Sequence, residues 1–468
     1  MSTHESEIDA PPRLLAKGRW PMLLLICGGI WLHAADITVI ATIMPDAVSE
    51  LGGLAWVPWA WMLELVGAIT AAACCGLLAT RYGIGRMTAV TAAVFAVGCA
   101  VTAISWDMAA FLAGRLLQGI GGGAMMALCH IGIATYFPDR LWTRAYAAVS
   151  LVWGVSALTG PLVGGFFAHI GFWQGAFWAF AAQAILIVVA APALLRRVTV
   201  QGVREETGVP VRSLSFLVPA VLTIGAAGVV QTWWIALPAV LLGVALLAGC
   251  VIADRRSAIG LLPGASLGVP HVAAGLATPF LLAVATVSFS TYGPLLLQRL
   301  HGMPPLEFGY IAAVESVAWS LAAMIVARWH IASEDNLIRW GSVIVIAGVA
   351  LFAWAVPAGW VIVIVLAAAM QGGGFGLCWA FITRRTIAAA LETDRERTAG
   401  ALPTVQMLGY AVGAATAGIV ANGLGFASVG DNAVPDLAIA ETVAVWVFLA
   451  FIPLGIGGIF AAWRLARA

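Results

Sequence analysis

The chain has 468 residues, of which 62% are hydrophobic and 10% are charged, and its formal net charge is +1. A soluble protein needs far more polar side chains to cover its surface, so this composition excludes the soluble classes and predicts an all-α polytopic membrane protein. The balanced charge offers no basic surface to a nucleic acid. The seven cysteines lie in apolar segments without metal-ligand spacing and are expected to pack as small hydrophobic residues.

The first 19 residues form a polar tail, and the apolar segments begin directly after it. The tail lacks the apolar core and cleavage site of a signal peptide, and we expect it to lie in the cytoplasm. A membrane-spanning helix needs about 20 consecutive apolar residues. Fourteen segments meet that need, and each is predicted to be a helix because backbone groups in lipid must pair within their own segment. The predicted spans are 20–44, 55–79, 87–105, 108–136, 142–168, 172–195, 214–232, 234–252, 269–297, 306–327, 337–356, 359–383, 398–424 and 441–463.

The basic residues predict which side of the membrane each loop faces. Cytoplasmic loops of membrane proteins are rich in Lys and Arg. With a cytoplasmic N-terminus, fourteen spans place all of the 23 Lys and Arg residues on the cytoplasmic side except Arg115 and Arg299. We therefore predict that both termini lie in the cytoplasm. The cytoplasmic ends of the helices are called the inner end below, and the opposite ends the outer end.

Three features of the first spans recur later in the chain at almost one offset. The offset is 251 residues for a glutamate and 253 residues for an arginine and for a Gln-Gly pair. An offset shared by unrelated features indicates two related halves, and such halves in transporters enclose a site near the middle of the membrane. The pairs are Glu64 with Glu315, Arg86 with Arg339, and Gln118-Gly119 with Gln371-Gly372.

This repeat divides the chain into two six-helix halves with two helices inserted between them. The two halves are called the N half and the C half, and the inserted helices the inserted pair. The N half is predicted to span 20–195, the inserted pair with the loop that follows it 214–268, and the C half 269–468. Cytoplasmic segments are predicted at 1–19 and 196–213.

Four charged side chains fall inside predicted spans at one depth. At about 1.5 Å per helical residue, Asp36, Glu64, Arg115 and Glu315 lie roughly 10–13 Å from the outer ends of their helices. An ionised side chain costs about 2.5–3.5 kcal/mol in lipid, so these groups should face one another or a watery cavity. An ion-pair network that only holds helices together is the alternative. One arginine cannot neutralise three carboxylates, however, so at least one acid is expected to bind a proton.

His33 lies three residues before Asp36, and therefore on the same face of the first helix. It is a candidate proton relay or hydrogen-bond donor to the carboxylate, and a packing role is the plainer alternative. The sequence shows no metal-ligand cluster, no phosphate-binding loop and no nucleophile with a base, so we expect neither an enzyme nor a bound cofactor. An ion gradient is then the expected energy source.

Four motifs follow one another in the first five spans, and a fifth stretch lies in the ninth. They are Asp36 to Pro45, Gly76 to Gly83 with Arg86 after it, Gly114 to Gly119, Gly154 with Gly160 to Gly165, and Tyr292 to Gln298 with Gly302 and Pro305. Together they resemble the major facilitator superfamily, specifically its fourteen-helix drug:proton antiporter family. The resemblance covers almost the whole chain and implies a major facilitator fold.

In that family each motif has a role. The arginine of the fourth-span motif, here Arg115, is tied to proton coupling, and the fifth-span motif is associated with exporters. Its glycines suit close helix packing and Pro161 suits a bend, as a gating helix requires. The loop motif normally carries an acidic residue that latches the cytoplasmic side, at the position of Thr80. Because Thr80 can cap a helix but carries no charge, we expect a weaker or displaced latch.

We predict a proton-coupled secondary transporter that exports an amphipathic or lipophilic organic compound by alternating access, as a monomer in a bacterial inner membrane. Two alternatives stay open: a dedicated exporter of a specific lipid or secondary metabolite, and a transporter-like receptor or assembly factor without a transport cycle. The candidate proton-coupling residues are His33, Asp36, Glu64, Arg115 and Glu315. The candidates for substrate contact are Asp36, Glu64, Gln118, Tyr292, Glu315 and Trp319. The candidates for gating are Gly76, Thr80, Arg81, Gly83, Arg86, Gly154, Gly160, Pro161, Gly164 and Gly165.

Overall fold

The computed structural model describes residues 19–195, 208–230, 233–257, 259–328, 334–427 and 436–467. Fourteen helical segments in these ranges are long and apolar enough to cross a membrane, which confirms the predicted number of spans. Most of the two predicted cytoplasmic segments lies outside the described residues. The helices are α1 Trp20–Leu51, α2 Val57–Tyr82, α3 Ile84–Ala103, α4 Met108–Tyr136, α5 Asp139–His169, α6 Gln174–Leu194, α7 Val211–Val229, α8 Trp233–Arg255, α9 Pro270–His301, α10 Pro305–Arg328, α11 Glu334–Ala358, α12 Val361–Ala389, α13 Arg395–Gly423, α14 Leu437–Leu449 and α15 Ile452–Leu465.

The fourteenth predicted span is one apolar stretch but two helices, α14 and α15. Pro453 lies in the first turn of α15, where its missing N–H has no helical partner to lose. In a continuous helix its ring would clash with the carbonyl of Leu449, the last residue of α14. Hydropathy therefore predicts the span correctly, and the proline determines where the helix is interrupted.

Local signals explain two of the helix boundaries in the N half. α4 follows Asp107, whose carboxylate accepts a hydrogen bond from the amide of Ala110 at 2.7 Å and so caps the helix. α2 and α3 are joined by the single residue Gly83, which has a φ of +83°. That left-handed conformation is readily adopted only by glycine, so the sharp connection depends on this residue.

Glycines bring the second and fourth helices of each half into backbone contact. In the N half, a Cβ atom added to Gly119 of α4 would collide with the carbonyl of Glu64 in α2. In the C half, a Cβ atom added to Gly372 of α12 would collide with the carbonyl of Glu315 in α10. The residues that carry the sequence repeat thus make the same contact in both halves.

The third helix of each half also packs closely against the fourth, again through a glycine. A Cβ atom at Gly98 of α3 would lie 2.6 Å from the amide nitrogen of Gln118, and one at Gly348 of α11 would lie 3.1 Å from that of Gln371. Small residues allow membrane helices to approach closely and gain packing energy. The repeat is therefore a recurring three-helix packing, built from glycines at matching positions.

We expect Gly372→Ala to destabilise the protein far more than Gly373→Ala. The first substitution forces α12 away from the backbone of α10, and such overpacking costs about 1–3 kcal/mol. At Gly373, the next residue of the same helix, an added Cβ atom meets nothing within 4 Å. Thermal unfolding of the purified protein in detergent measures both effects. Equal shifts of the two melting temperatures would contradict the packing described above.

The two halves meet through α2 against α13 and through α5 against α10. α7 and α8 pack on each other, and α7 also contacts α13 and α2. At the first helix pair, a Cβ atom on Gly418 would lie 2.9 Å from Pro58, and at the second, one on Gly165 would lie 2.9 Å from the Cα of Leu306. These tight contacts lie at the ends of the helices that are predicted to face outward. With the predicted orientation, the structure is closed at its outer end.

Candidate functional site

A cluster of five polar side chains lies inside the N half. It draws on α1, α2 and α4, and none of its members exposes any surface. Buried polar and charged groups are costly unless they are paired, and more so at membrane depth. Their concentration at one place is therefore the most distinctive feature of the N half. The five residues are His33, Asp36, Glu64, Arg115 and Gln118.

Arg115 is the centre of this cluster. Its Nη1 donates hydrogen bonds to Oδ2 of Asp36 and to Oε1 of Gln118, both at 2.6 Å. Its Nε donates to the carbonyl of Ala60 at 3.4 Å. The amide of Gln118 in turn donates to Sγ of Cys99 at 3.3 Å. Asp36 and Arg115 thus neutralise each other, and Gln118 is fixed between the arginine and α3.

Glu64 and His33 form a second pair beside the first. Oε1 of Glu64 lies 3.5 Å from Nδ1 of His33, and among the described residues neither side chain has a hydrogen-bond partner. Because Asp36 and Arg115 cancel each other, a negative charge on Glu64 remains unless one proton binds to it or to His33. An uncompensated buried charge is strongly destabilising, so the pair is suited to hold one proton.

The glycine-rich stretch of α4 makes room for this arrangement. A Cβ atom at Gly119 would collide with the backbone of Glu64, so glycine there lets α2 bring its carboxylate up to α4. A Cβ atom at Gly122 would lie 2.5 Å from Nδ1 of His33. The glycines therefore place the acids and the imidazole around Arg115, in addition to packing the helices.

Glu315 lies in the C half, separate from this cluster. Its Oε1 accepts a hydrogen bond from Nε2 of Gln371 at 2.8 Å, and its side chain is partly exposed. Trp319, one turn further along α10, stacks on Phe375 with ring centroids 4.9 Å apart, and Trp379 lies 6.2 Å from it. The C half thus presents a carboxylate beside an aromatic wall.

The predicted substrate-contact residues differ in accessibility. Glu315 and Trp319 are partly exposed, whereas Asp36, Glu64 and Gln118 are fully buried. Tyr292 is fully buried as well; its ring meets the edge of Phe426 at 5.7 Å, and its hydroxyl has no partner within the described part of the chain. Of the six predicted substrate-contact residues, only Glu315 and Trp319 therefore have exposed surface in this conformation.

The fifth-span motif packs one face of α5 against α1, the helix that carries Asp36. A Cβ atom at Gly160 would collide with the hydroxyl of Thr38, and one at Gly164 with the hydroxyl of Thr42. α5 can therefore approach α1 only because these positions are glycine.

The same motif also contacts α10 of the C half. A Cβ atom at Gly165 would lie 2.9 Å from the Cα of Leu306, and one at Gly309 would lie 2.7 Å from Cβ of Pro161. Gly154 faces the same helix with more room. α5 therefore links the helix of Asp36 to the helix of Glu315, which suits the gating role expected of it.

The loop-motif residues lie at the helix ends that are predicted to face the cytoplasm, away from the buried cluster. Thr80, Arg81 and Arg86 are exposed, and the Thr80 hydroxyl donates to the carbonyl three residues earlier at 2.8 Å. Gly76 would tolerate a Cβ atom, whereas Gly83 forms the turn between α2 and α3. The weaker latch that Thr80 implies stays a prediction.

Two hydrogen-bonding partners of the predicted site residues were not predicted from the sequence. Gln371, which binds Glu315, is the repeat equivalent of Gln118, so the 253-residue offset carried the signal. Cys99 had no such signal, because only the packing of α3 on α4 brings its sulfur to Gln118.

Solved structures of other transporters share this fold. The nucleoside transporter NupG superposes with a TM-score of 0.63 at 14% identity, covering 95% of this chain and 99% of that one. The POT family transporter PepTSo superposes with a TM-score of 0.67 at 14% identity, covering 95% and 97%. At this identity the likeness concerns the fold alone.

Sequence relatives are named as exporters. A Mycobacterium tuberculosis protein named "Probable multidrug-efflux transporter" is 29% identical over 457 residues, which are 94% of this chain and 93% of that protein. The "Tetracenomycin C resistance and export protein" of Streptomyces glaucescens is 27% identical over 328 residues, 66% of this chain and 58% of its own length. The family model of the Major Facilitator Superfamily matches residues 26–414. The chain therefore belongs to the major facilitator superfamily, as its motifs predicted.

Proposed function

We propose that this protein is a proton-coupled exporter of amphipathic or lipophilic organic compounds in a bacterial inner membrane. The observation that carries the proposal is the fully buried cluster that contains two carboxylates but one arginine, so that Asp36 is paired with Arg115 and Glu64 lies beside His33. Export is supported by the names of the sequence relatives. The likeness to a multidrug-efflux transporter extends over nearly the full length of both chains.

The N half supplies the proton site of the proposed cycle. Asp36 is held by Arg115, and Glu64 and His33 together hold one proton. A second proton, bound by Asp36, would cancel the charge that holds Arg115 and change the pairing of the whole cluster. Protonation shifts the equilibrium between the inward-facing and outward-facing conformations, provided that these two conformations bind the proton with different affinities.

The C half supplies the substrate surface. Glu315 offers a negative charge, and the partly exposed rings of Trp319 and Trp379 offer aromatic surface next to it, with Trp319 stacked on the buried ring of Phe375. Aromatic faces attract cations and bury apolar ligands, so this surface fits a bulky organic cation.

We expect Glu315→Gln to weaken the transport of a lipophilic cation such as ethidium about tenfold to a hundredfold, because a charged hydrogen-bonding partner contributes about 1.5–3 kcal/mol. Transport of a neutral aromatic compound should change little. Glu307→Gln is the matched control, since Glu307 lies on the same helix, exposed at its outer end. Dye transport by proteoliposomes measures each variant. An equal loss for the cation and the neutral compound would contradict the assigned role of Glu315.

The proposal as a whole is tested by transport in proteoliposomes with an imposed pH gradient. Wild type is compared with Asp36→Asn, Glu64→Gln and Glu315→Gln, which keep side-chain shape and remove one acid each. The expected result is that gradient-driven transport is lost in at least one of the two N-half variants. Unchanged coupling in all three variants would reject proton coupling through these residues.

A dedicated exporter of one secondary metabolite is the second candidate, favoured by the relative that exports tetracenomycin C. Expression in a host without its own efflux pumps separates the two. Resistance to many unrelated aromatic compounds indicates the multidrug function, whereas resistance to a single compound class indicates the dedicated one. Binding of compounds without any transport would instead indicate a receptor-like protein.

A further inference from the structure

The inserted pair is joined to the loop that follows it by one buried carboxylate. Asp254, at the inner end of α8, is fully buried and accepts a hydrogen bond from the hydroxyl of Ser213 at the start of α7. It also accepts hydrogen bonds from the backbone amides of Leu261 at 3.2 Å and Leu262 at 2.9 Å. α7, α8 and the loop therefore form one unit at the inner end.

That loop is in turn bonded to the turn between α12 and α13 of the C half. The amide of Ser266 donates to Oδ2 of Asp394 at 2.8 Å, and the amide of Leu391 donates back to the hydroxyl of Ser266 at 3.1 Å. Nε of Arg397 donates to the carbonyl of Gly260 at 3.1 Å. The inserted pair is thus tied to the C half by reciprocal and partly buried hydrogen bonds.

At the outer end, one amide joins three parts of the protein. Asn422, near the end of α13, is 2% exposed. Its Nδ2 donates to the carbonyl of Gly228 in α7 at 2.7 Å and to the carbonyl of Ala55, just before α2, at 3.1 Å. A Cβ atom at Gly228 would lie 3.1 Å from the carbonyl of Ala415, so α7 and α13 are also in close backbone contact.

The contact between the inserted pair and the N half is of a different kind. There the thioether of Met62 and the ring of Trp59, both on α2, pack against Gly225 of α7. Apolar contacts of this sort can shift without breaking a hydrogen bond. Separating the pair from the C half would instead break the bond from the amide of Ser266 and leave the carboxylate of Asp394 buried without it.

We propose that the inserted pair moves as a fixed part of the C half, and that Asn422 is a latch of the outer end. When the outer end opens, the bond from Asn422 to Ala55 breaks, while its bond to Gly228 persists because α7 moves with α13. The inference extends the proposed transport cycle. Its test follows helix positions instead of transport, so a failure of proton coupling and a failure of this inference are distinguishable.

The test uses spin labels at three exposed outer positions, introduced as an unnatural amino acid so that the seven native cysteines are left in place. The positions are Ile104 after α3 for the N half, Ile235 in α8 for the inserted pair and Ile362 in α12 for the C half. Distances are measured in wild type and in Asn422→Ala. Loss of one hydrogen bond is expected to raise the ratio of open to closed protein about threefold to tenfold.

The open population should lengthen the distances from Ile104 to Ile235 and to Ile362 together, while the distance between Ile235 and Ile362 stays constant. Asn336→Ala, at an exposed asparagine of α11, is the control and should leave all three unchanged. A constant distance from Ile104 to Ile235 with a changing distance from Ile235 to Ile362 would overturn the assignment of the pair. An unchanged open fraction in Asn422→Ala would overturn the latch.

Wild type alone also tests the assignment of the inserted pair, should Asn422→Ala fail to fold. Both conformations contribute to its distance distributions, so the distribution between Ile235 and Ile362 must be narrower than that between Ile235 and Ile104. The reverse order of widths would place the inserted pair with the N half.

Discussion

Asp36→Asn is expected to abolish transport driven by a pH gradient while the fold is retained. Asparagine has the shape of aspartate, and its side-chain oxygen can still accept the hydrogen bond that Arg115 now donates at 2.6 Å. It cannot take up and release a proton, however, so the pairing of Arg115 no longer responds to the gradient. Uptake of ethidium into proteoliposomes under an imposed gradient should fall to the level of protein-free liposomes.

Asp46→Asn is the matched control for this experiment. Asp46 lies on α1 as well, ten residues further toward the outer end, and is partly exposed. The same change of charge at that position should leave transport near the wild-type rate. Wild-type coupling in Asp36→Asn would show that Asp36 is not the coupling carboxylate, and Glu64 would then be the remaining acid of the buried cluster.

Arg115→Gln is expected to cost about 3–5 kcal/mol of stability, because it leaves Asp36 as an uncompensated charge inside the N half. Arg115 is fully buried and also holds Gln118 in place. Thermal unfolding in detergent should show the loss, and transport should disappear with it. Arg464→Gln, at an exposed arginine of α15, should unfold at the wild-type temperature.

The double variant Asp36→Asn with Arg115→Gln separates charge from packing. It removes both charges together, so no unpaired carboxylate remains and part of the lost stability should return. A double variant no more stable than Arg115→Gln alone would mean that the arginine acts mainly through its size and its bonds to Gln118 and Ala60.

Hydropathy and helix rise predicted much of this architecture. The fourteen spans follow from apolar length, and the depth count placed Asp36, Glu64 and Arg115 in the layer where the structure joins them. Glu315 lies apart from them because depth gives the height of a residue and not the half of the bundle that it faces. The membrane orientation and the boundaries of the halves stay predictions.

Contacts that depend on loop folding and on exact helix register could not be read from the sequence. Asn422 is one amide near a helix end, and only the meeting of α13 with α7 and α2 gives it two carbonyls to bind. Asp254 is one acid in the last turn of α8, followed by two arginines, and its burial depends on how the next loop brings the amides of Leu261 and Leu262 to its carboxylate. Neither arrangement can be predicted from composition or residue spacing.

Proton movement caused by substrate tests the central claim most directly. Proteoliposomes that contain a pH-sensitive dye receive ethidium without any imposed pH gradient, and the internal pH is followed alongside ethidium itself. We predict that ethidium movement drives protons in the opposite direction in wild type, and that Asp36→Asn shows no proton movement. Transport of ethidium by wild-type protein without any accompanying proton movement would contradict proton-coupled export.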